Sequence, residues 1–141
     1  MNKENTFISL DFDGTLHQSI ELQKYAKQLV KQGYYIGITT RRSNIFPHNP
    51  VFMTDFPSEE VWDLAKKLGI KTINFLHLGY KHNFFNTLFC NVIHIDDDVK
   101  EVTWINTNQN KSKYIGQQEE YVNICFHIQN IDKFKQKIEQ L

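Results

Sequence analysis

The sequence predicts an α/β domain built on a central, mostly parallel sheet with helices on both faces. Short apolar, β-prone runs alternate with stretches whose apolar residues recur at helical spacing, the pattern of successive strand, helix, strand units. Several runs stop abruptly at polar or acidic residues, as buried strands do at their carboxyl ends; Asp11 and Asp13, and Asp96 to Asp98, are the clearest cases. At 141 residues the chain is most simply one domain, 1–141, large enough for a core without disulfide or metal staples.

The first run, Phe7 to Leu10, leads into Asp11-Phe12-Asp13-Gly14-Thr15-Leu16. A strand ending there sets Asp11 and Asp13 side by side on one lip of the sheet. Gly14 permits a sharp turn, and the Thr15 hydroxyl can tie down its own loop. Neighbouring carboxylates repel unless a cation lies between them, and a hard divalent ion such as Mg²⁺ suits oxygen ligands. With the charge screened, Asp11 can attack the phosphorus of a phosphate ester and become an aspartyl-phosphate. Asp13 can then give a proton to the leaving oxygen and take one from water.

Ser19 to Gln32 carries apolar residues on one helical face, with Ser19 as N-cap and Gly33 as terminator. Tyr34 to Thr39 reads as the second buried strand, joined to the first by a right-handed crossover. Ligands on such sheets collect outside the carboxyl ends of the strands, which brings Thr39 and Thr40 beside the acids, where hydroxyls and backbone N–H groups can hold phosphate oxygens. Arg41 and Arg42 follow and can clamp an anionic substrate, or serve as solvated charges. All three prolines fall in Ser43 to Pro57, read as a loop with a short extended piece at Val51 to Met53, and its position makes it the candidate for substrate selection.

Ser58-Glu59-Glu60-Val61 carries a capping signature and opens a helix that Gly69 ends. Thr72 to Leu78 is the third strand, Asn83 to Phe89 a helical stretch, and Asn91 to Ile95 the fourth strand. That strand runs into Asp96, Asp97 and Asp98, a second acidic cluster that is unfavourable unless something positive is bound there. An amphipathic stretch around Val102 to Ile105 leads into a polar segment, Asn106 to Glu120. A strand from Tyr121 to Ile128 and a helix from Ile131 to Leu141 close the chain. His94 and His127 lie within strands and read as core or face residues.

Taken together, these stretches resemble the haloacid dehalogenase (HAD) superfamily, whose commonest members are Mg²⁺-dependent phosphatases. Asp11 to Leu16 is similar to its first motif, and the resemblance spans Phe7 to Val102 with four motifs in the family's order. It implies a three-layer, Rossmann-like core in which Asp11 is nucleophile, Asp13 acid/base, and Thr39, with Thr40 as its adjacent competitor, holds the phosphoryl group beside Arg41. Lys81, with Lys71 as rival, would be the charge-neutralising lysine. Asp97 would be the direct metal ligand with Asp96 its helper, joining Asp11 and Asp13 around Mg²⁺; Glu101 stands where many members have Asp. Neither intermotif gap can house a cap domain, so the cleft would be open. In the family that arrangement goes with bulky phosphorylated substrates (a nucleotide, polynucleotide end or phosphoprotein) or with homo-oligomers whose neighbour covers the site.

Other classes remain beside this one. A phospho-receiver domain also uses strand-end acids, Mg²⁺, a Thr and a Lys, and Asp55 resembles its phosphoacceptor; a non-catalytic phosphate-binding protein would need the same residue types. Neither Gly-x-Gly-x-x-Gly nor a Gly-rich loop ending in Lys-Ser/Thr occurs. Sixteen basic and sixteen acidic residues balance, which argues against a general grip on nucleic acid or anionic membrane. Cys90 and Cys125, both in apolar contexts, read as free thiols of a reducing compartment. With no apolar leader and no run of membrane-spanning length, the expected location is the cytoplasm.

Overall fold

The computed structural model describes residues 1–44, 58–109 and 121–141. Its strands are β1 (Thr6–Leu10), β2 (Tyr35–Thr40), β3 (Thr72–Phe75), β4 (Asn91–Asp96) and β5 (Asn123–His127). They form one sheet in the order β3-β2-β1-β4-β5, every pair parallel. The helices are α1 (Ile20–Lys31), α2 (Glu59–Leu68), α3 (Lys81–Asn86), α4 (Val99–Thr107) and α5 (Ile131–Glu139).

Strand periodicity explains the layers. Ile8, Leu10, Ile36, Ile38, Ile93 and Ile95 pack with buried residues of α1, α2 and α5 on one face. The alternate residues Phe7, Val92 and Cys125 pack with Phe85 of α3 and Ile105 of α4 on the other. Covered on both faces, β1 and β4 are buried along their whole length, which is why they read as mostly apolar runs in which Ser9 and His94 are the interior polar residues. The chain winds outward from β1 through β2 to β3, then crosses back to β4 on the far side of β1. The carboxyl ends of β1 and β4 therefore border the crevice where strand order reverses, the usual ligand position of open parallel sheets.

Several boundaries differ from the sequence expectation, and two of the differences matter for the site. β2 runs one residue further, to Thr40, and α3 begins at Lys81, two residues early. β3 stops at Phe75 because the chain turns through His77 (φ 49°) and Leu78 (φ 67°). α4 is a full helix whose N-cap, Asp98, accepts a bond from Lys100 N–H at 2.9 Å. The capping box expected at Ser58 does not form. Ser58 already has helical backbone angles, and its carbonyl, not its hydroxyl, accepts from Val61 and Trp62 N–H. Most of the proline loop, with Asp55 and Val51 to Met53, lies outside the described residues, as does most of the segment 106–120.

Cys125 is a buried thiol and Cys90 is half-buried. Among the described residues no helix is long and apolar enough to cross a membrane.

Candidate active site

Asp11 leaves β1 while still bonded to the sheet, its N–H donating to Ile95 O of β4 at 3.0 Å. The chain then coils through Phe12–Leu16, and Leu16 N–H returns to Asp11 O at 3.0 Å. This turn delivers Thr15 beneath the acids. Its hydroxyl donates to Asp11 Oδ2 at 2.8 Å and lies 3.4 Å from Asp97 Oδ1, linking the acid after β1 to one after β4.

Lys81, only 2 % exposed at the first position of α3, donates through Nζ to Asp11 Oδ1 and to Asp96 Oδ2, both at 2.6 Å. Asp96 accepts two further bonds, from His94 Nε2 at 2.9 Å and from Asp98 N–H at 3.0 Å. One ammonium thus serves two buried carboxylates, and the pKa shifts follow from that. Burial works against the Lys81 charge, yet Asp11 and Asp96 outweigh it and hold the ammonium above its ordinary range. For Asp96 burial is likewise overcome, here by His94 and Lys81, and its carboxyl titrates well below the usual value. For Asp11 burial wins; Lys81 compensates only in part, Asp96 opposes, and the acid is raised. Asp11 is the member left short of positive charge.

The surroundings fit a hard divalent cation. Asp11, Asp96 and Asp97 each offer an oxygen within 4.8 Å of the other two. Carboxylate oxygens are the ligands a hard divalent ion takes, and these three acids could supply them to one ion. Glu101, 2 % exposed in the same cavity, has both carboxylate oxygens without a hydrogen-bond partner among the described residues, and burial raises its pKa. Such acceptors call for a cation or its bound waters. Asp11 and Asp97 would hold the ion, with Asp96 the third acid in reach.

Asp13, expected to join that set, does not. Past the end of β1 its backbone no longer keeps the strand alternation, and its half-exposed carboxylate accepts instead from Arg42 Nε (2.9 Å) and Nη2 (2.5 Å). Arg42 also reaches Glu60 of α2 at 3.3 Å and lies 4.9 Å from the Phe12 ring centroid. Thr39 is likewise displaced from its expected place. Because β2 extends to Thr40, it is Thr40 that lines the cavity, its Oγ1 accepting from Arg42 N–H at 3.1 Å, while Thr39 is wholly buried against Ser9. Arg41 lines the cavity as expected, donates to Leu78 O at 2.9 Å and lies 5.1 Å over the Tyr80 ring. The cavity measures about 790 Å³. Lys71 is exposed beside β3 and takes no part, so of the two lysines only Lys81 meets the acids.

Sequence reasoning read His94 as a core or face residue of a strand, as its complete burial bears out, but missed the Arg42–Asp13 clasp, the orphaned Glu101 and the pairing of His94 with the buried Ser9. Period-two alternation was the available signal for that pair, since each stands two residues before an acid and so shares its face of the sheet.

Gly14 is where the two acidic segments touch. Its φ is +72°, and a Cβ there would sit 2.2 Å from Asp97 Oδ2. Gly14→Ala should therefore both strain the turn and push Asp97 aside. Mg²⁺ binding, followed by calorimetry, is expected to weaken roughly tenfold or more, as for lost support of a metal ligand; unchanged binding would show that Asp97 does not hold the ion.

Comparison of the chain with protein-family models, with curated proteins and with solved structures gives no match.

Proposed function

We propose that the protein is a Mg²⁺-dependent phosphomonoester hydrolase working through an aspartyl-phosphate on Asp11. The observation that supports it is the meeting of Asp11, Asp96 and Asp97 with the Lys81 ammonium at the carboxyl ends of β1 and β4, from segments far apart in the chain. Bound Mg²⁺ would neutralise charge on nucleophile and phosphoryl group alike. An Asp11 carboxylate oxygen forms the new bond to phosphorus as the bond to the ester oxygen breaks, with Lys81 stabilising the charge that develops. Thr15 keeps the carboxylate from turning. Asp13 protonates the departing oxygen, then accepts a proton from the water that cleaves the acyl phosphate. To do so it must leave Arg42, and an incoming phosphate, which pairs well with a guanidinium, is the natural competitor for that side chain. Thr40 and Arg41 line the approach. The substrate class stays open among nucleotides, polynucleotide ends and phosphoproteins.

The strand order weighs against the receiver reading. Receivers follow the 2-1-3-4-5 arrangement, whereas this sheet runs 3-2-1-4-5. A non-catalytic phosphate-binding protein is separated from the enzyme by assay alone.

The test is phosphate release from an aryl phosphate, nucleotides, sugar phosphates, phosphopeptides and 3′-phosphorylated oligonucleotides, with Mg²⁺ and with chelator. Release that chelator abolishes is expected on at least one class, and Asp97→Asn should raise the Mg²⁺ needed. Phosphate binding without turnover on any class would leave the scaffold reading instead.

A further inference from the structure

Beneath the acids lies a hydrogen-bonded chain whose inner members, Thr39, Ser9 and His94, the proposed chemistry does not itself use. His94 is completely buried in β4, with its neighbour in register on β1 being Ser9, also completely buried. The imidazole Nδ1 lies 2.8 Å from Ser9 Oγ and 3.0 Å from Ser9 O, and Ser9 Oγ lies 2.7 Å from Thr39 Oγ1. On the opposite side Nε2 meets Asp96 Oδ2, which can only accept, so Nε2 carries a proton and donates. The same Oδ2 accepts from Lys81 Nζ, whose second bond goes to Asp11 Oδ1. Thr39, Ser9, His94, Asp96, Lys81 and Asp11 thus form one line from the sheet interior to the cavity. The Phe85 ring closes the histidine's flank, 5.0 Å between centroids.

Two polar residues buried side by side, with Thr39 next to them and Phe7, Val92, Cys125, Phe85 and Ile105 packed on the same side of the sheet, need a reason. Buried polar groups are unfavourable compared with apolar ones unless every partner is present, and a satisfied network fixes one arrangement of its members. Without the imidazole donor the only remaining neutral donor to Asp96 among the described residues is Asp98 N–H on Oδ1, about which Oδ2 could turn and carry Lys81 with it. We infer that His94, oriented by Ser9, is a positioning residue that holds the Asp96 carboxylate so that the Lys81 ammonium stays aimed at Asp11. The catalytic half of this inference rests on the phosphatase reading; the geometric half does not.

The experiment compares wild type with His94→Gln, His94→Asn and His94→Leu in two arms. The first is amine labelling of Lys81 in the metal-free protein, read by mass spectrometry, with the buried Cys125 thiol as a check that the fold is kept. The second is steady-state turnover of an aryl phosphate with Mg²⁺. Gln can place an amide N–H where Nε2 stands; Asn reaches only the Ser9 side, and Leu neither. Lys81 should be protected in wild type and His94→Gln and labelled about tenfold faster in His94→Asn and His94→Leu, with Cys125 still shielded. In the second arm kcat should fall roughly 10- to 100-fold in the Asn and Leu variants with KM little changed, and Gln should restore most of it. Lys81 as protected in folded His94→Asn as in wild type, or Gln no better than Asn, would overturn the inference. Should His94→Leu expose Cys125, the Gln and Asn pair decides. If wild type turns over no phosphate ester, the proposed function fails and the labelling arm alone judges the positioning role.

Discussion

Asp11→Asn is expected to abolish turnover, by on the order of 10³-fold or more as when a nucleophile is removed, without destabilising the metal-free protein. The two halves of this result come from one source. Asp11 is buried and shares a single ammonium with Asp96, so its ionised form is unfavourable in the fold until a cation arrives. Asn removes that charge while keeping the shape and an oxygen to accept from Lys81 Nζ, its amide N–H donating to the Thr15 hydroxyl oxygen on the other side. The pH dependence has a definite sign. An acid raised in the folded state adds stability below its unfolded pKa of about 3.9, and that stability is lost as pH rises toward the folded value. Metal-free wild type should therefore weaken relative to Asp11→Asn as pH rises from about 4 toward the raised folded value, and Mg²⁺ should strengthen wild type more than the variant. Urea unfolding of both proteins across that range, with and without Mg²⁺, reads the difference. Turnover surviving in Asp11→Asn would remove the proposed nucleophile, and parallel pH curves would remove the strain.

The strands around the cleft were legible because they are buried on both faces. Phe7 to Leu10 and Asn91 to Ile95 leave no doubt as apolar runs ending in acids, and the structure joins them directly in the sheet. The convergence of Asp11 with Asp96 and Asp97 was expected from the resemblance of the two acidic segments to successive family motifs, since the crossover rule alone does not say which strand lies beside β1. What failed was register at the single-residue level. β2 continues to Thr40, so Thr40 and not Thr39 takes the strand-end position at the cavity while Thr39 lies one residue back against Ser9, and no local composition distinguishes the two threonines. The start of α3 was similarly unmarked. Its N-cap is Tyr80, whose side chain makes no cap bond, so no Ser, Thr, Asp or Asn signalled that Lys81 would stand at the helix's first position. Asp13 escaped for a different reason: its partner, Arg42, comes from the far end of β2, and a pairing across that distance leaves no trace in spacing.

The ion pair at Lys81 carries the largest effect on stability. Replacing Lys81 by Met keeps length and apolar stem but leaves Asp11 and Asp96 buried without the ammonium, beside Asp97. Removing one partner of a buried pair costs about 3–5 kcal/mol, because the charge left behind has lost both water and counter-ion. The loss should be largest near neutrality. Asp96, depressed in the fold, contributes stability above its unfolded pKa of about 3.9 that disappears as pH falls through its lower folded value, and Lys81, raised in the fold, contributes until pH climbs above about 10.4. Between those limits the variant lacks the Lys81 contribution and the part of Asp96's that Lys81 supplies, His94 still supplying the rest, whereas in acid its carboxylates take up protons and the gap to wild type narrows. Mg²⁺ should return part of the stability, and proportionally more than in wild type, since the vacated centre is more negative by one charge. Lys71→Met, changed at an exposed position, should stay within about 0.5 kcal/mol of wild type. Denaturant melts of the two variants, each with and without Mg²⁺, separate these outcomes: equal stability of Lys81→Met and Lys71→Met would mean that Lys81 does not join the acids, and with that the assignment of Asp11 as an activated nucleophile would lose its electrostatic support.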